Sequence, residues 1–114
     1  MTLLEILQYA VGIATILTGI ISLFWPLKVL GFTGLEVNGG RGVTEIRAVL
    51  GGFFVGLGAA VLLLNEPAAY MTLGIAYLVV AGVRTISMFI DKSVVQSNVI
   101  SVITEVIMGI ILVL

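Results

Sequence analysis

Four apolar runs, each long enough to cross a bilayer, constrain this chain more than any other feature. They cover residues 6–24, 46–64, 68–90 and 94–114. A helix that spans the hydrocarbon core of a membrane needs about 20 mainly apolar residues. Trp25-Pro26 closes the first run, Asn65-Glu66-Pro67 the second and Asp91-Lys92 the third; proline breaks a helix, and tryptophan favours the membrane interface. The runs lack the charged outer face of a soluble bundle. Hydrophobic residues make up 61% of the chain and charged ones 10%, where a soluble domain is nearer a quarter charged. The expected fold class is therefore all-α: one integral membrane domain over 1–114, folded as an antiparallel four-helix bundle. The first run has no basic segment before it and no A-x-A site after it, so it reads as a span rather than a signal peptide. The longest connection, 26–44, holds five glycines and is expected to be a loop or a short interfacial turn.

What the chain lacks excludes much chemistry. Cysteine and histidine are both absent. Their absence removes disulfides, thiol nucleophiles, imidazole bases and the usual zinc, haem and iron–sulfur ligand sets. No cofactor or metal is expected. The net charge is −1, which gives no basic field for nucleic acid.

Helical spacing gives the runs faces. Glu5, Gln8, Gly12, Thr15, Gly19 and Ser22 share one side of the first, and Asn98, Ser101, Glu105, Met108 and Gly109 one side of the fourth. The third carries Tyr70, Tyr77 and Arg84 at heptad spacing. The second has small residues on two faces: Glu45, Ala48, Gly52, Gly56 and Ala59 on one, Arg47, Gly51 and Gly58 on the other. Lipid tails give helices no net hydrophobic reason to associate, so small residues that permit backbone contact replace it. Gly52-x-x-x-Gly56 fits that packing role, and small residues on both faces make homo-oligomers an expected outcome. The second helix should be among the most buried.

The basic residues set an expected orientation. Lys28, Arg41 and Lys92 fall in the 26–44 and 91–93 connections, and Arg47 and Arg84 in the adjoining helix halves. The opposite side carries only Glu5 and Glu66. The positive-inside rule then puts the basic side in the cytoplasm and both termini outside.

Two charges lie deeper than the rest. Arg84 is about 10 Å inside the end marked by Asp91, and Glu105 about 16 Å beyond Val94, at 1.5 Å per residue. An ionisable group at that depth costs several kcal/mol (of order 3) unless paired, protonated or hydrated. The economical arrangement is a polar cluster in which Arg84 and Arg47 face Glu105 and Glu45, with Thr44, Ser101, Asn98 and Tyr77 completing the hydrogen bonds. Such a cluster either fixes helix register or holds the headgroup of an amphipathic ligand.

These residues also carry a resemblance. E-I-R-A-x-x-G-G at 45–52, an arginine late in the third helix and E-x-x-x-G at 105–109 resemble a widespread bacterial family of small four-helix membrane proteins of unknown function, near the DoxX-like group. The resemblance implies four spans and brings no activity with it. Leu73-Gly74-Ile75-Ala76-Tyr77 is fainter in its similarity to the third helix of small multidrug transporters, whose essential glutamate lies within the first helix. Glu5 lies too near the end to match.

Three functions are weighed. The first is a non-enzymatic membrane protein that touches membrane lipids and binds a lipid or quinone-like ligand, or a partner membrane protein. The second is a small proton-coupled transporter with Glu105 as the titrating carboxylate. The third is an enzyme, for which no nucleophile–base pair can be assembled. A transporter would show repeats or broken helices, whereas the helices here read as continuous.

Overall fold

The computed structural model describes residues 1–114 and contains helices and turns but no strand. The elements are α1 (Leu3–Phe24), a 3₁₀ turn (Pro26–Lys28), α2 (Val29–Thr33), α3 (Gly40–Leu64), α4 (Pro67–Ile90) and α5 (Gln96–Val113). By length and composition, α1, α3, α4 and α5 could each cross a membrane.

The helix ends have local causes. The Thr2 hydroxyl accepts the Glu5 backbone N–H at 3.2 Å, a cap that starts α1 three residues before the expected boundary. The largest departure is α3, which begins at Gly40 rather than residue 46. Gly39, at φ 83° and ψ −175°, turns the chain in a conformation that only glycine adopts readily, and Arg41 pairs with Glu45 one turn on. The connection before it is partly ordered, since α2 fills 29–33 and ends where Gly34, at φ 74°, donates to the Leu30 carbonyl. At the end of α4, Ser93 N–H reaches the Met88 carbonyl at 2.9 Å while Lys92 sits at φ 51°. This is a Schellman ending with lysine where glycine is usual. Val95 is extended, so α5 starts at Gln96 rather than 94.

The second span is one continuous helix but is not α-helical throughout. Residues Ile46–Phe53 of α3 form a π-helical segment between two α-helical ones. Bonding from i to i+5 widens the turn, so a face drawn at three-and-four spacing drifts out of line along it.

Two compact units form. The first comprises Met1–Gln8 and Asn65–Leu114, the second Tyr9–Leu64. Within the second, α1 and α3 meet backbone to backbone. A Cβ added to Gly19 would lie 2.6 Å from the Gly51 carbonyl oxygen, and one on Gly58 would lie 2.8 Å from the Gly12 carbonyl oxygen. Residues from Gly12 to Leu23 meet partners that run back from Leu62 to Gly51, so the two helices are antiparallel. The packing glycines are therefore Gly51 and Gly58. Gly52 and Gly56, the expected pair, are exposed, and nothing lies within 4 Å of a Cβ on Gly56. Over its apolar window α3 is 22% buried, level with α4, below the 28% of α1 and above the 11% of α5.

The first unit repeats the device. A Cβ on Gly74 would stand 2.7 Å from Leu112 Cβ, and one on Gly109 2.7 Å from Leu78 Cδ2, again antiparallel. Gln8 donates to the Ile111 carbonyl at 3.1 Å, satisfying one of the carbonyls left open at a helix C-terminus.

Gly19→Val should destabilise the protein by about 1–3 kcal/mol through overpacking. Gly56→Ala should be neutral or stabilising by up to about 1 kcal/mol, from helix propensity. Thermal unfolding in detergent measures both; equal losses would refute the seam as described.

Candidate functional site

Deep within the α4–α5 hairpin, Arg84 and Glu105 form a two-pronged ion pair. Arg84 Nε donates to Glu105 Oε1 and Nη2 to Oε2, both at 2.9 Å. A third guanidinium nitrogen, Nη1, donates to Asn98 Oδ1 at 3.2 Å. The Asn98 amide donates in turn to the Ser93 carbonyl at 2.9 Å, tying the site to the Schellman turn. The glycine contact at Gly74 and Gly109 sets this register. It brings α4 and α5 together along antiparallel lines, so the later half of α4 faces the earlier half of α5.

The two partners differ in exposure. The Glu105 side chain is 13% exposed and that of Arg84 33%. Arg84 looks onto a cleft of about 460 Å³ lined by Val79, Val80, Val83, Ser87, Met88, Asp91, Ser93 and Asn98. Valine and polar side chains line it together. No buried side-chain nitrogen or oxygen lacks a partner anywhere in the chain.

The other expected members lie elsewhere. Glu45 is 54% exposed and pairs with Arg41 on its own helix, correcting the expectation that it belongs with Arg84. The i,i+4 spacing of Arg41 and Glu45 is a sequence signal for that pair. Arg47 is exposed and lines a separate cleft with Lys28. Ser101 donates to the Ser97 carbonyl at 2.9 Å and Thr44 to the Gly40 carbonyl at 3.0 Å, so neither hydroxyl is turned to Glu105. This back-bonding to the preceding turn is the usual habit of helical Ser and Thr. Tyr77 is half-buried on α4, seven residues before Arg84. Ser87, on the Arg84 side of its helix, lines the cleft, and so does Asp91, which marked only the helix end in the sequence; heptad spacing from Arg84 would have found it. No group of three or more acidic side chains stands close enough to hold a metal ion.

No family model, curated protein or solved structure matches the chain.

Removing one partner of the pair leaves the other charge uncompensated. Because Arg84 is a third exposed and polar pairs in membranes are weaker than buried soluble ones, Glu105→Gln should cost about 1–2 kcal/mol. Glu105→Gln with Arg84→Met should recover part of that loss in a double-mutant cycle of unfolding. A strictly additive cycle would show that the pair contributes no coupling.

Proposed function

We propose that the chain is a multi-pass protein of the cell membrane, the cytoplasmic membrane if the source is bacterial. Its four long helices close into one antiparallel bundle, and it binds an apolar or amphipathic ligand, lipid or quinone-like, without catalysing a reaction. The observation that carries this reading is Arg84, held by both oxygens of Glu105 and still facing a cleft lined in part by valine. A guanidinium has five N–H groups, and three are used by Glu105 and Asn98. Two remain for an oxygen of a ligand. Since Glu105 neutralises Arg84 and Asp91 adds a negative charge to the cleft lining, an uncharged acceptor suits the site best, such as a quinone carbonyl or a lipid ester carbonyl. Val79, Val80 and Val83 would take the apolar part. A partner membrane protein could present the same chemistry from a helix-end carbonyl.

The resemblance to the small four-helix family near the DoxX-like group agrees with four spans and leaves the ligand open. Proton-coupled transport has less support, because cycling a proton on Glu105 requires opening a pair in which both carboxylate oxygens are engaged. The exposed Gly52 and Gly56 offer a close-contact face for homo-oligomers.

Gently solubilised protein should retain an uncharged lipid or a quinone in native mass spectra, and Arg84→Met should lose that species while remaining folded; the same spectra read the oligomeric state. Spectra of bare protein under conditions that preserve weak lipid complexes would overturn the binding reading. For orientation, the chain has no cysteine of its own, so a single cysteine placed after Leu114 should react with an impermeant thiol reagent added outside intact cells. Labelling only after lysis would put the C-terminus in the cytoplasm.

A further inference from the structure

The α1–α3 seam continues past its last glycine contact. A Cβ on Gly51 would meet the Leu23 backbone at 3.0 Å. One turn further along the same antiparallel register, Arg47 arrives beside the 3₁₀ turn at Pro26–Lys28. A cleft of about 370 Å³ opens there, lined by Phe24, Trp25, Pro26, Leu27, Lys28, Val43 and Arg47. Its two charged residues are both cations, and no carboxylate lines it.

The pairing of these cations sets them apart. Arg41 and Arg84 each have a carboxylate partner. The side chains of Lys28 and Arg47 have neither an ion pair nor a hydrogen bond. Two unpaired positive charges on one cleft repel each other and favour a shared anion. The apolar wall points to the kind of anion. Phe24, Trp25 and Leu27 are each more than half exposed, and the Trp25 ring meets Phe24 edge-on, with centroids 6.1 Å apart. An indole so placed suits the headgroup level of a bilayer. A free inorganic anion would gain nothing from that surface, whereas a lipid would cover it.

We infer that this cleft binds the phosphate of an anionic phospholipid between Lys28 and Arg47, with an acyl chain lying along Phe24 and Leu27. Arg47 supplies a planar fork that matches two phosphate oxygens, and Lys28 a point charge. The site shares no lining residue with the Arg84 cleft and does not rest on the reading given for it.

Trp25 is the only tryptophan, so its emission reports occupancy. Delipidated protein in neutral detergent is titrated with phosphatidylglycerol, phosphatidylcholine or inorganic phosphate. Phosphatidylglycerol should shift the emission saturably, and phosphatidylcholine should not. Lys28→Gln and Arg47→Gln should each weaken the response about fivefold, and the double variant about 25-fold, the loss expected for about one unit of charge attraction per cation. Arg47→Lys should keep most of the affinity. Both residues are exposed and unpaired, so all variants should melt with the parent protein. Arg84→Met should bind phosphatidylglycerol normally, which separates this site from the other. An equal response to phosphatidylcholine, or an unchanged affinity in the double variant, would overturn the proposal. Inorganic phosphate that competes as well as the lipid would make this a free-anion site and overturn the lipid assignment.

Discussion

Close backbone contact at glycine is the constraint from which the arrangement within each unit follows. The helices are apolar nearly all round, with Leu63 85% exposed and Ile90 73% exposed, so burial of hydrophobic surface cannot specify which faces meet. In lipid that drive is absent altogether. What distinguishes one face from another is how near the backbones can come. Gly19 against Gly51, Gly58 against Gly12 and Gly74 against Leu112 leave no room for a Cβ. Once those positions are in register, every other residue on the paired helices has a fixed opposite number.

The polar residues then divide by whether they use that register. Thr15, Thr18, Ser22, Thr72, Thr85 and Ser101 all donate to the carbonyl four residues back. They are satisfied within their own helix and would be so in any packing. Arg84 cannot be. Its charge and five donors demand partners from another element, and the α4–α5 register supplies Glu105 and Asn98. A deep ion pair is weak evidence of stability, because desolvation offsets the attraction. A bidentate pair reached from two helices is better evidence that those helices have one alignment. The basic cleft at Lys28 and Arg47 depends on the same logic at the far end of the α1–α3 seam.

Helix count and type were legible because length and apolarity act locally. The Arg84–Glu105 pairing was legible too, since two opposite charges at similar depth have few other solutions. The second span was misread for two physical reasons. Gly39 and Arg41 extend it beyond its apolar run, and the π-helical segment at Ile46–Phe53 changes the angular step on which faces are drawn. Gly52 and Gly56 match a familiar spacing, yet nothing in the spacing says that Gly51 and Gly58 are the pair that meets α1.

The sequence by itself determined the four membrane-length helices, the breaks between them and the lack of thiol and imidazole side chains. All of these depend on residues close together in the chain. Only the tertiary structure decided that Arg47 joins Lys28 and that Gly51 and Gly58 are the glycines that meet α1. Those choices hang on which glycine face approaches its neighbour. That contact distance is set between helices, where a difference of one ångström decides whether a backbone fits.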